Sequence, residues 1–149
     1  KEDAINKYTN SKFYEGKEAI FSLLRHIVKT AQKGDKYYSF ALGIELIDKD
    51  IVAFFSGLAR LLQEKGLDIK VLLPEKDREA LSYNYKKDIL EITHAKYTEI
   101  AFPQGTIILN DNLILMEWEG KPSAVRIKCD TFAKNYEQFF NELYKKAKV

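Results

Sequence analysis

The sequence has little cysteine, little histidine and no excess of charge of either sign, and each shortage excludes a class of protein. The single cysteine, Cys129, excludes an internal disulfide. One cysteine and two histidines are too few for a structural zinc site, so we expect no metal. Lys and Arg (24) nearly balance Asp and Glu (22), whereas a surface that coats nucleic acid needs a strong basic bias.

Long apolar runs are also absent. No stretch approaches the roughly 18–20 apolar residues that cross a bilayer. The segment Lys1–Asp3 is polar and no apolar signal-peptide core follows it, so we expect a cytoplasmic protein without membrane contact. The first residue is Lys1 and not methionine, from which we expect a fragment of a longer protein.

The composition is that of one globular domain. At 149 residues, with 46% hydrophobic and 31% charged residues, the chain can bury a sizeable core. The first dozen residues show no apolar period. We therefore predict a tail or linker over residues 1–15 and a single domain over residues 16–149.

The order of predicted elements indicates an α/β fold. Apolar residues at three- and four-residue steps predict a helix from Gly16 to Ala31, and a second helix follows Asp48, a plausible N-cap. Short β-favouring runs follow each helix, which is typical of a parallel sheet. The second half alternates loosely from Ile89 to Ile100 and then predicts a hairpin turn at residues 110–112 and two further strands.

A closing helix, capped by Asp130 or Thr131, completes the pattern. Its predicted buried face comprises Phe132, Ala133, Tyr136, Phe139, Phe140, Leu143, Tyr144 and Ala147. The predicted fold is α/β, with a mixed, largely parallel central sheet flanked by helices.

Three segments carry a resemblance to a known family. Residues 102–115, residues 118–127 and the last helix with Phe139, Phe140 and Leu143 resemble the C-terminal, phospholipase-D-like domain of archaeal TrmB-type transcriptional regulators. The likeness extends from about Phe13 onward. It implies half of a phospholipase D fold, a homodimer, and a winged-helix domain before Lys1 through which alone DNA would be bound. Some members of this family bind sugars, so the resemblance also allows a small-molecule effector.

The phospholipase D motif is H-x-K followed after four residues by D, and this sequence departs from it in two registers. His94 and Lys96 supply H-x-K, but Ala101 stands where the acid is required. In the other register Asp111 matches the acid, whereas Gln104 and Thr106 replace the nucleophilic histidine and the cationic lysine. We therefore expect no catalysis.

Candidate ligand contacts follow from strand geometry and from the second register. In parallel sheets, ligands bind beyond the carboxyl ends of the strands, which indicates Gly43 and Glu45. The residues Gln104, Thr106 and Asp111 would leave a polar pocket, and Trp118 is an aromatic available for stacking or for a dimer interface. Glycine motifs that cradle phosphates are absent, so we expect no nucleotide cofactor.

Three functions remain open at this point. The chain is predicted to be the effector-sensing or dimerisation domain of a TrmB-type regulator. The first alternative is a homodimeric phospholipase-D-like nuclease or phosphodiesterase using His94 and Lys96. The second is a structural dimerisation module without a ligand.

Overall fold

Five helices and seven strands alternate along the part of the chain that the computed structural model describes, residues 10–41 and 48–149. The helices are α1 (Lys17–Thr30), α2 (Lys49–Glu64), α3 (Arg78–Asn84), α4 (Lys87–Ile92) and α5 (Asp130–Lys146). The strands are β1 (Ser11–Glu15), β2 (Lys36–Phe40), β3 (Asp68–Pro74), β4 (Lys96–Thr98), β5 (Gly105–Leu109), β6 (Asn112–Glu117) and β7 (Ser123–Lys128). A single 3₁₀ turn, Glu75–Asp77, joins β3 to α3.

Within the described residues, the strands form one mixed sheet in the order β1-β7-β6-β5-β2-β3-β4. This confirms the predicted α/β class, with a mixed sheet flanked by helices. The sheet is less parallel than predicted, because only β2–β3 and β3–β4 pair in parallel and the other four pairings are antiparallel. Parallel neighbours need a crossover of a dozen or more residues, usually a helix. From β4 onward the connections between strands contain no helix, so β5, β6 and β7 form an antiparallel meander.

The segment Ser11–Glu15, predicted to belong to a tail, is instead the edge strand β1. It pairs antiparallel with β7, and Phe13 lies opposite Val125. Its strand conformation comes from this long-range ladder and not from a local apolar alternation, which explains why the sequence does not predict it. Gly16, at φ 95°, then turns the chain directly into α1.

The two faces of the sheet are covered by different helices. On the α1–α2 face, both helices pack on Tyr37, Ile69, Ile107 and Ile114 in the larger core cluster. On the α5 face, Ala133 and Phe140 of α5 pack against Tyr38, Phe40, Leu72, Ile108 and Leu113. Alternation of side chains along each strand produces this division. The predicted N-cap of α2 is confirmed, since the Asp48 carboxylate accepts hydrogen bonds from the backbone N–H groups of Asp50 and Ile51.

The α5 helix buries a narrower face than predicted. Ala133 and Phe140 are buried, but Phe132, Tyr136 and Phe139 are 50%, 36% and 51% exposed. These three residues follow one another at four- and three-residue steps and form one stripe, which we call the aromatic stripe of α5. A helix lying on a sheet by one side leaves a neighbouring stripe in solvent, because the predicted eight-residue face is wider than the contact.

Asp35 ties three segments together at one end of the sheet. Its Oδ2 accepts hydrogen bonds from the backbone N–H of Gln32 at 2.8 Å and from Nδ2 of Asn110 at 2.9 Å. Its carbonyl oxygen accepts from the N–H of Asp68 at 2.8 Å. The Asn110 side chain, and after it the Gln32 N–H, hold the pKa of Asp35 below its ordinary value. The α1–β2 turn, the start of β3 and the β5–β6 turn therefore meet at this carboxylate.

None of the helices in the described residues is long and apolar enough to cross a membrane.

Candidate functional site

The start of β5 and the side of α5 enclose an open cleft of about 380 Å³ on the α5 face. We call it the β5 cleft, and its lining consists of Phe40, Phe102, Pro103, Gln104, Thr106, Leu115, Asn135, Tyr136 and Phe139. Gln104 and Thr106 of the second predicted register therefore lie together. The sequence analysis missed Asn135, Tyr136 and Phe139 as cleft residues, although the apolar stripe of the helix carries two of them.

The chemistry of the β5 cleft is that of aromatic rings and neutral polar groups. Its lining contains no Asp, Glu, Lys, Arg or His. Thr106 is 4% exposed, and its hydroxyl donates to the carbonyl oxygen of Gln104 at 3.1 Å. The Phe40 and Phe102 rings lie 4.5 Å apart between centroids and support the apolar wall. Such a cleft offers hydrogen bonds and ring faces without a charge for a phosphate to meet.

Asp111 does not reach the β5 cleft. It lies in the two-residue turn between β5 and β6, at the end of β5 opposite to Gln104. Five residues of extended strand separate Thr106 from Asp111, which corresponds to roughly 17 Å. There the carbonyl oxygen of Asp111 accepts a hydrogen bond from the N–H of Cys129 at 2.9 Å, which joins the turn to the residue before α5.

Trp118 also lies away from the β5 cleft. It follows β6 and packs in the core of the α1–α2 face, with its ring 6.1 Å from those of Phe21 and Phe55. It is 5% exposed, and its buried indole N–H has no hydrogen-bond partner in the described residues. The two other predicted ligand residues, Gly43 and Glu45, lie outside the described residues.

His94 and Lys96 lie at the edge of the sheet. His94 is in a left-handed turn before β4, at φ 50°, and not in the strand expected for it. Its Nδ1 lies 2.9 Å from the carbonyl oxygen of Ile69, while Lys96 Nζ lies 4.3 Å from the centroid of the Tyr144 ring. Three strand steps separate β4 from β5, or roughly 14 Å. His94 and Lys96 therefore join neither Asp111 nor the β5 cleft.

Charged pairs elsewhere in the described residues have structural settings. Tyr38 donates a hydrogen bond to Asp68 at 2.7 Å, and burial followed by this bond raises its pKa. Arg78 binds Glu75 by two hydrogen bonds and lies 3.8 Å from the centroid of the Tyr97 ring. No group of three or more His, Cys, Asp or Glu side chains in residues 10–41 and 48–149 is arranged to hold a metal ion.

No protein-family model matches the chain, and no curated protein matches its sequence. Three solved structures are similar in fold. TrmBL2, an archaeal chromatin protein with a novel mode of DNA binding, matches with a TM-score of 0.61 at 15% identity over 95% of this chain and 54% of its own. The phosphatidylserine synthase of Haemophilus influenzae matches with a TM-score of 0.66 at 14% identity over 91% of this chain and 36% of its own.

The third is NUC from Salmonella typhimurium, a phospholipase D family member, with a TM-score of 0.61 at 15% identity over 93% of this chain and 95% of its own. The chain thus spans about half of TrmBL2 and about a third of the synthase, but nearly all of NUC. The chain has a phospholipase-D-like fold, as predicted. At identities near 15% the similarity carries the fold and no activity.

Proposed function

We propose that this chain is the regulatory domain of a cytoplasmic TrmB-type transcriptional regulator, which binds an uncharged effector in the β5 cleft and performs no catalysis. The observation that carries the proposal is the identity of two cleft residues. Gln104 and Thr106 occupy the positions at which the phospholipase D motif has histidine and lysine, and they lie in one uncharged cleft. DNA would be bound only by a separate winged-helix domain.

The two substitutions remove the chemistry of phosphodiester cleavage. The amide nitrogen of Gln104 is not nucleophilic, because its lone pair is delocalised into the carbonyl group. The hydroxyl of Thr106 has no charge with which to neutralise phosphoryl oxygens. Among the residues that line the cleft, none is a base that could activate that hydroxyl.

The same lining suits a neutral polar molecule such as a sugar. The amides of Gln104 and Asn135 and the hydroxyl of Tyr136 both donate and accept hydrogen bonds. The rings of Phe102 and Phe139 offer apolar faces beside them. A phosphorylated ligand would lose its hydration in this cleft without gaining a cationic partner.

Hydrolysis of bis-p-nitrophenyl phosphate tests the absence of catalysis. We expect no turnover by the wild-type chain. The decisive comparison is His94→Ala against His26→Ala, since His26 is an exposed histidine on α1. Turnover that His94→Ala abolishes and His26→Ala retains would contradict the proposal and favour the phosphodiesterase.

A thermal-shift panel of neutral mono- and disaccharides tests effector binding. A ligand that binds only the folded chain raises the melting temperature, by a free energy of about 2.7 kcal/mol when its concentration is a hundred times its Kd. We expect Gln104→Ala and Asn135→Ala to abolish the shift. Asn141→Ala should retain it, because Asn141 is exposed on the same helix outside the cleft. A panel without any shift would contradict the effector.

Dimerisation is the second candidate function, and the aromatic stripe of α5 favours it. Phe132, Tyr136 and Phe139 are about half exposed and continue the wall of the β5 cleft. A second copy of this chain, packed on the stripe, would remove these rings from water. Sedimentation or light scattering would show a dimer for the wild type and a monomer for a Phe132→Ser, Phe139→Ser variant. Tyr83→Ser is the control, because Tyr83 is 90% exposed on α3.

A further inference from the structure

A second hollow lies on the α1–α2 face of the sheet, opposite to the β5 cleft. It has a volume of about 80 Å³ and lies between α2, the α3–α4 segment and strands β2 and β3. Its wall is almost entirely apolar, with contributions from Leu58, Ala59, Leu62, Val71, Leu73 and Met116. We call it the inner cavity. It is not closed, because Ala41, Phe55 and Leu90 on its wall are only half-buried.

Two hydroxyl groups interrupt the apolar wall of the inner cavity. Tyr37 and Ser39 alternate along β2 on the same face, and they are 4% and 8% exposed. Neither side chain forms a hydrogen bond with another described residue. A buried hydroxyl without a partner is destabilising, so buried polar groups in folded proteins are almost always paired with protein, water or ligand.

The Tyr37 hydroxyl is held in its neutral form. Burial, and after it the nearby Tyr85 phenol, raise the pKa of Tyr37 above its ordinary value. At neutral pH the hydroxyls of Tyr37 and Ser39 can therefore each donate one hydrogen bond and accept others. The pair selects a neutral polar group and not an ion, because no charged side chain lines the cavity.

We infer that the inner cavity is a binding site for a small apolar molecule with a single neutral hydrogen-bonding group, which pairs with the hydroxyls of Tyr37 and Ser39. Its position supports this assignment, since it lies toward the carboxyl ends of the parallel strands β2 and β3, where α/β sheets bind ligands. A cavity of about 150 Å³ holds benzene. A single-ring alcohol would therefore fill this smaller cavity and extend into its open side. The inference does not depend on the proposed regulator or on the β5 cleft.

Titration of the isotope-labelled chain with phenol and with benzene, followed by amide shifts in NMR spectra, tests the inference. We expect saturable shifts centred on Ser39, Leu58 and Met116 for both probes. Phenol should bind about 2- to 10-fold more tightly than benzene, which corresponds to one net hydrogen bond. Equal affinities would overturn the inference, because the two hydroxyls would then recognise nothing. Absence of saturable binding, with the cavity holding only water, would also overturn it.

Two pairs of variants locate the site. Ala59→Leu places a larger side chain in the cavity wall and should abolish phenol binding, whereas Ala53→Leu, exposed on the same helix, should retain it. Ser39→Ala should bring the affinities for phenol and benzene closer together, and this second variant remains decisive if Ala59→Leu does not fold. Gln104→Ala should leave phenol binding unchanged, so that failure of the inner cavity and failure of the β5 cleft give different results. Phenol binding that Ala59→Leu does not affect would place the site elsewhere and contradict the inference.

Discussion

The α1–α2 face and the α5 face of the same sheet differ in how completely helices cover them. Two helices of 14 and 16 residues pack on the first, and most of the buried apolar side chains lie there. One helix of 17 residues packs on the second, and the half-exposed rings of Phe13, Phe132 and Phe139 remain beside it. We infer that the first face supplies most of the stability and the second most of the surface for partners.

The largest expected effect tests whether α5 is held by one line of contacts. Phe140 is fully buried and stacks on Tyr38 with 5.0 Å between ring centroids. Phe140→Ala should lower the free energy of unfolding by about 3–5 kcal/mol through lost burial and a new cavity. Chemical denaturation would measure this loss. Phe139→Ala, on the exposed stripe of the same helix, is the matched control and should cost much less; equal losses would show that α5 is covered on both sides.

Two leucines compare the faces directly. Leu24 of α1 is 1% exposed on the α1–α2 face, and Leu24→Ala should cost about 2–5 kcal/mol. Leu115 of β6 is only half-buried on the α5 face beside the β5 cleft. Leu115→Ala should cost clearly less, because less apolar area leaves water at that position on folding. Urea unfolding of both variants checks the difference, and a reversed order would contradict the unequal coverage.

The cap of α2 should have a smaller effect with a pH signature. Loss of the two hydrogen bonds to Asp48 in Asp48→Ala should cost about 1 kcal/mol at neutral pH. The Ile51 N–H, and after it Lys17, lower the pKa of Asp48 in the folded chain. This contribution is therefore present above the ordinary pKa of 3.8 and is lost as the pH falls through the lower folded value.

Asp48→Asn separates the cap from its charge. Asparagine accepts the same backbone hydrogen bonds but does not titrate, so the variant should lose less stability than the wild type between neutral and acidic pH. Melting temperatures measured across this range would show the difference. Parallel curves for the two chains would show that Asp48 does not contribute to the pH dependence.

The smallest effect is expected on the exposed stripe. Phe132 is 50% exposed, so Phe132→Gln should change the free energy of unfolding by no more than about 0.5 kcal/mol. Denaturation at a protein concentration that keeps the chain monomeric would measure it. A larger loss would mean that this ring is covered within the monomer, and the contrast between the faces would then be smaller than the structure indicates.

The sequence predicts the long elements well because their patterns are local. The helices around α1, α2 and α5 have a clear apolar period, and the turn at Asn110 and Asp111 has typical hairpin residues. Strand β1 and the short helix α4 are not predicted, because β1 is strand only through its pairing with β7 and α4 has six residues. Short elements acquire their structure from tertiary contacts that a single sequence does not display.

The candidate site is predicted in part for a similar reason. Gln104 and Thr106 lie two positions apart at the start of β5, and this local spacing places both in one cleft. Asp111 is separated from them by the length of the strand, and Trp118 lies on the other face, where alternation is interrupted by the end of β6. The inner cavity depends on how α2 and the α3–α4 segment meet the sheet, which no spacing in the sequence encodes.

The carboxylate of Asp35 makes the two ends of the sheet unequal in time as well as in shape. Around it, the α1–β2 turn, the start of β3 and the β5–β6 turn are joined by hydrogen bonds, whereas the β5 cleft lies at the opposite end of β5. Local opening should therefore begin at the end with the cleft, where fewer contacts have to break. In hydrogen exchange, the amide of Asp68 should outlast that of Thr106. A ligand that enters at the open end would slow its exchange first and leave the joined end almost unchanged.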